Sequence, residues 1–142
     1  MMGDKKYKIG YTSGVFDMFH IGHLNILRKS KELCEYLIVG VSTDELVQEY
    51  KNKTPIIPYV DREEIVKSII YVDKVIPQEN MNKTDVIKKY GIDVVFVGSD
   101  WKGTDKWNAY EDEFAKLGCK VEYHEHTDGI SSTILRDLLN KQ

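Results

Sequence analysis

The chain has 142 residues, 42% of them hydrophobic and 30% charged, the balance of a soluble globular domain large enough to bury its own core. Its formal net charge of −3 and pI near 5.8 exclude the global basic field that recruits nucleic acid, so any phosphate must be held by locally placed cations and backbone N–H groups. Cys34 and Cys119 are far apart and offer neither a disulfide framework nor metal-ligand spacing. The N-terminal stretch lacks an apolar signal core, and no apolar run nears the roughly 20 residues that span a bilayer. A cytoplasmic protein with neither a nucleic-acid nor a membrane partner is expected.

Short β-branched stretches alternate with longer ones of helical period. Residues 7–13 read as the first strand, followed by a helix that buries Ile21, Leu24 and Leu27 and turns Arg28, Lys29 and Lys31 outward. Residues 36–41 form a continuous apolar run, as in a strand covered on both faces. Ser42-Thr43-Asp44-Glu45 has a capping-box pattern that opens a short helix, and Asp61-Arg62-Glu63-Glu64 opens another through Ile65 and Ile69. Between them the polar, Pro-broken residues 51–58 should be a loop.

Residues 74–76 read as a strand, Val86, Ile87 and Tyr90 as a helix, and 94–97 as a buried strand. Trp107, Tyr110, Phe114 and Leu117 repeat at helical spacing, 120–124 form the last strand, and Ile134, Leu135, Leu138 and Leu139 are the core face of a final helix. The class is therefore α/β: a Rossmann-like, doubly wound, five-stranded parallel sheet with helices on both faces, residues 1–142 forming a single domain. In such sheets ligands sit beyond the carboxyl ends of the strands where strand order reverses, so functional residues should follow strands.

The segment Gly14-Val15-Phe16-Asp17-Met18-Phe19-His20-Ile21-Gly22-His23 falls between the first strand and the first helix. Gly14 would permit a sharp turn. His20 and His23, three apart at a helix start, can point their rings to one side, where the helix N-terminus favours a phosphate. Two imidazoles can donate hydrogen bonds to charge growing on a phosphoryl oxygen without a permanent cation that would trap the ground state. A metal site is the rival reading, but only Asp17 lies near as a third ligand.

This run resembles the HxGH segment of the nucleotidyltransferase superfamily, and the chain as a whole resembles its cytidylyltransferase branch, nearest the glycerol-3-phosphate cytidylyltransferase group. His126-Thr127-Asp128-Gly129-Ile130-Ser131-Ser132-Thr133 resembles that branch's RTEGISTT segment, with His126 in place of its arginine. On the residues alone, Ser131 can cap the last helix and leave Ser132, Thr133 and first-turn N–H groups to phosphates. The stretch Asp61 to Val75 resembles ERxxxxxxIRYVDEV: Arg62 and Asp73 match, and Ile70 replaces an arginine. Gly98-Ser99-Asp100-Trp101 resembles GDDW.

The resemblance implies a transfer of CMP from CTP to a small phosphorylated alcohol, most readily glycerol 3-phosphate, with release of pyrophosphate. It implies catalytic roles for His20, His23, Lys51 and Lys53. Nucleotide contacts are implied from Val15, Phe16, Asp17, Ile21, Gly22, Lys53, Arg62, Asp100 and the segment from His126 to Thr133. Acceptor contacts are implied from Lys51, Lys83 and Asp17. It further implies nucleotide-associated Mg²⁺ with no metal ligand from the chain, and a homodimer. Phosphocholine, phosphoethanolamine or another small phosphate as acceptor, ATP as the nucleotide, and a catalytically silent nucleotide-binding module stay open as alternatives.

Overall fold

The computed structural model describes residues 5–125 and 138–139. Five strands, β1 (Tyr7–Gly14), β2 (Cys34–Ser42), β3 (Lys74–Gln78), β4 (Val94–Gly98) and β5 (Lys120–His124), pair in parallel in the order β3-β2-β1-β4-β5. Order reverses at β1, the central strand, and this is the doubly wound topology expected. The helices are α1 (Ile21–Leu33), α2 (Asp44–Lys51), α3 (Tyr59–Lys67), α4 (Thr84–Tyr90) and α5 (Asp105–Ala115), with a 3-10 turn over Ser99–Trp101. No helix among the described residues is long and apolar enough to cross a membrane.

The sheet carries a core on each face. Leu27, Leu37, Val39, Val41, Val66, Val94 and Phe96 form one, and Tyr11, Ile38, Ile87, Ile92, Val95, Trp107 and Phe114 the other. Both cysteines are buried and free, and burial pushes the Cys34 thiol up to about 11 and the Cys119 thiol up to about 12, which makes them inert core residues. Each residue step along the strands alternates between the two cores, which is why the central strands read as continuous apolar runs.

Local structure departs from the sequence reading in several places. Ile21 is 53% exposed, because Gly22 is the first-turn residue of α1 that packs inward. Thr43 caps α2 through Leu46 N–H, but Leu46 occupies the position where a box needs a carboxylate, so only half the box exists. Helix α3 starts at Tyr59, before Asp61: Pro58 supplies an extended N-cap, and its carbonyl accepts from Asp61 and Arg62 N–H at 3.1 Å each. Ile65 is consequently exposed, Val66 is the buried residue, and Ile69 falls past the helix end. Leu138 and Leu139 are helical but exposed and do not supply the core face expected of them, while Ile134 and Leu135 lie outside the described residues.

Parallel register lines up the carboxyl edge. Gly14 pairs with Val41, Ser42 with Gln78 and Gly98 with His124, and the β1–β4 register, continued from Thr12 and Phe96, sets Gly98 beside Gly14. All segments that leave this edge can reach one ligand.

Candidate active site

The turn from β1 into α1 is short and bent. Phe16 and Met18 both adopt left-handed backbone, with φ of 55° and 49°. Each such residue without glycine's freedom costs about 1–2 kcal/mol, so surrounding contacts must hold the turn. Gly14 itself has no positive φ, contrary to the expectation that it makes the bend. A Cβ there would lie 3.3 Å from the Phe16 ring, so its role is to admit that ring.

Between the two left-handed residues sits Asp17, 3% exposed, whose carboxylate oxygens accept from Ile56 and Ile57 N–H at 2.9 Å each. The histidine turn is thereby joined to the loop after α2.

His20 caps α1. Its Nδ1 accepts from Gly22 N–H at 3.1 Å, and its own N–H donates to His23 Nδ1 at 3.2 Å, a capping box built from two imidazoles. The rings stack with centroids 3.9 Å apart, and Phe16 and Phe19 pack against His23. Because each Nδ1 is an acceptor, the neutral ring carries its proton on Nε2. His20 Nε2 is buried with no partner among the described residues. Burial lowers the His20 pKa, and burial together with the facing His20 ring lowers that of His23 to about 4. At neutral pH the pair is a set of two uncharged N–H donors, which suits developing charge on a phosphoryl oxygen.

Lys51 ends α2 with its ammonium over the Tyr50 ring, Asn52 closes the helix in left-handed conformation, and Lys53 stands exposed in the loop that Asp17 grips. Arg62, expected at the nucleotide, is 1% exposed. Its Nε donates to Ile57 O at 2.8 Å, Nη1 to Val15 O at 2.7 Å and Ser42 O at 2.8 Å, and Nη2 to Asp44 Oδ1 at 2.6 Å. Asp44 also accepts from Tyr59 N–H, at 3.2 Å. Residues Asp44, Ile56 and Ile57 escaped the sequence reading because a carboxylate at a helix start and a pair of loop isoleucines carry no local sign of such contacts.

Further along the edge, Lys83 is 8% exposed at the start of α4, with its ammonium over the Trp107 ring. Burial, aided by Lys106, lowers its pKa to about 8. It lines a cavity of about 170 Å³ with Tyr11, Gln78, Asn80, Asn82 and Asp85. Tyr11 and Gln78 were not anticipated. Gly40 admits the Tyr11 hydroxyl, which would clash with a Cβ there. Asp100 lies exposed in the 3-10 turn after β4. Residues His126, Thr127, Asp128, Gly129, Ile130, Ser131, Ser132 and Thr133 lie outside the described residues. No three His, Cys, Asp or Glu gather to hold a metal ion among the described residues.

Residues 11–138 match the family Cytidylyltransferase-like. Glycerol-3-phosphate cytidylyltransferase of Staphylococcus aureus is 40% identical over 129 residues, covering 90% of this chain and 92% of that one. FAD synthase of Pyrococcus abyssi is 36% identical, covering 86% and 81%. Among solved structures, the lipopolysaccharide core biosynthesis protein of Thermoplasma volcanium superposes with a TM-score of 0.69 at 25% identity, covering 84% of this chain and 96% of that one.

The depressed His23 pKa has a consequence for stability. The unfolded chain, with the ordinary imidazole value of 6.5, takes up a proton before the folded protein does, at about 4. The stability contributed by a neutral, buried His23 is therefore fully present above pH 6.5 and is lost as pH falls toward 4. Urea unfolding across this range should show that loss, and His23→Asn, which keeps an acceptor at the Nδ1 position, should reduce it. An unchanged slope in the variant would contradict the assigned burial of His23.

Proposed function

The chain belongs to the cytidylyltransferase-like family and is a nucleotidyltransferase, and from that premise we propose that it transfers CMP from CTP to glycerol 3-phosphate. An oxygen of the acceptor phosphate attacks the α-phosphorus of CTP, the new P–O bond forms, and the bond to the β-phosphate oxygen breaks to release pyrophosphate. Catalysis in such an in-line displacement consists of positioning and of stabilising the charge that develops. The single observation that carries the reading is the stacked His20–His23 pair, held neutral with Nε2–H as donor where β1 ends.

In this reading His20 and His23 donate to oxygens of the α- and β-phosphates, exposed Ile21 at the start of α1 borders the nucleotide, and buried Gly22 lets the helix start approach it through its backbone. Lys51, at the end of α2, and Lys53, in the loop after it, clamp nucleotide and acceptor phosphates. Asp100 borders the pocket of the base. Lys83, an ammonium held over the Trp107 ring in the cavity beyond β3, takes the acceptor phosphate. Mg²⁺ supplies charge neutralisation while bound to the triphosphate's own oxygens, since this ion keeps several waters and needs few protein ligands. The enzyme works as a cytoplasmic homodimer.

Pyrophosphate release with CTP and ATP against a panel of phosphorylated acceptors tests the assignment. CTP with glycerol 3-phosphate should give the highest turnover, and His20→Asn, which keeps the helix cap and deletes the Nε2 donor, should lower kcat by about 10²–10³. Full turnover in that variant would overturn the role of His20; higher turnover with ATP or phosphocholine would reassign the substrates; tight CTP binding without any turnover would select a silent binding module.

Lys83 adds a pH dependence. It is cationic below about 8, so the KM for glycerol 3-phosphate should rise as pH passes 8, and Lys83→Met should raise the KM at pH 7 and abolish that rise. The unfolded lysine, at 10.5, holds its proton longer than the folded one, so the buried ammonium costs stability at neutral pH and the cost is relieved between 8 and 10.5. Lys83→Met should therefore raise Tm at pH 7. A lower Tm with unchanged KM would place Lys83 in the core alone.

A further inference from the structure

We infer that Asp17 and Arg62 are positioning residues, which lock the loop after α2, bearing Lys53 and following Lys51 at the helix end, onto the histidine turn and act on the nucleotide through those lysines. The inference rests on the nucleotidyl transfer proposed above. Its basis is the Ile57 peptide, which is gripped on both sides: its N–H donates to Asp17 at 2.9 Å and its carbonyl accepts from Arg62 Nε at 2.8 Å. Arg62 simultaneously holds the carbonyl of Val15 in the histidine turn and that of Ser42 at the end of β2. One guanidinium therefore spans the exit of β1, the exit of β2, the start of α2 through Asp44, and the lysine loop.

The chemistry of both groups favours this role over ligand contact. A guanidinium that is 1% exposed and donates to three carbonyls and a carboxylate presents no open fork to a triphosphate. A carboxylate beside a polyanion would repel it, whereas Asp17 directs both oxygens at the Ile56 and Ile57 amides. Asp17 also lies between left-handed Phe16 and Met18, the place from which a tether can hold a strained turn.

On the far side of the loop, Asn52 N–H donates to Gln48 O at 3.0 Å, so Lys53 is fixed within a short span between two anchors. Pinning that span reduces the conformational freedom lost when lysines close on phosphates.

The test combines amide exchange with a double-mutant cycle. Without substrate, the Ile56 and Ile57 amides should exchange slowly in the parent and at least about tenfold faster in Asp17→Asn, with the sheet amides unchanged. In turnover with CTP, Asp17→Asn should lower kcat/KM by up to about 100-fold in the parent. In a Lys51→Ala/Lys53→Ala background the same change should cost about twofold or less, because the lysines through which it acts are gone. Losses that add in full would mean direct nucleotide contact and overturn the inference, as would equal exchange of the two amides with and without Asp17. Arg62→Gln should follow the same pattern, but Asp17→Asn carries the test because it preserves size and leaves the Arg62 hub in place. If no nucleotide turns over, the proposed function fails, and the exchange of Ile56 and Ile57 still decides the lock.

Discussion

Two hydrogen bonds from backbone N–H groups to imidazole Nδ1 atoms decide what the centre of this molecule can do. Gly22 donates to His20 and His20 donates to His23, and these bonds start α1 where β1 leaves the sheet. The same bonds assign the proton of each neutral ring to Nε2 and orient the rings into a stack, while burial disfavours charging either ring. Structure and chemistry are thus one constraint. A helix that begins at the central strand's carboxyl end needs a cap, and the cap delivers two neutral donors to the point where strand order reverses.

The surroundings keep that constraint in place. The turn before His20 contains two left-handed residues, which cannot persist unless neighbours over-determine them. Phe16 packs into the core and against His23, with room made by Gly14, while Asp17 fastens the turn to the loop of residues 52–58. Arg62 then joins this loop to the ends of β1 and β2. Burying a guanidinium is costly unless its donors are satisfied, and here four are. The histidine turn and the stretch that carries Lys51 and Lys53 are therefore parts of one braced edge.

How far these features can be read in sequence follows from the range of the interactions. Strand runs such as 36–41 and 94–97, and the Trp107, Tyr110 and Phe114 repeat, depend on local periodicity and appear as expected, whereas Leu117 falls in the turn beyond the end of α5. The histidine pair was legible for the same reason, since its bonds link residues two and three apart. The contacts of Arg62 and Asp17 are not legible in this way, because Asp17 meets backbone amides 39–40 residues on and three of the four Arg62 bonds go to backbone carbonyls, one of them 47 residues away, which leave no trace in side-chain identity. The start of α3 was misplaced because Pro58 caps it through backbone geometry, while the acidic run at 61–64 imitates a side-chain cap.

The central claim, that backbone bonds hold His20 and His23 as neutral Nε2–H donors, is accessible directly by NMR of the imidazole nitrogens. At pH 7 both rings should show the Nε2–H tautomer, with Nδ1 shifts of a hydrogen-bonded acceptor, and His23 should stay neutral until pH approaches about 4. An Nδ1–H tautomer on either ring, or a His23 that titrates near its ordinary value, would contradict the account.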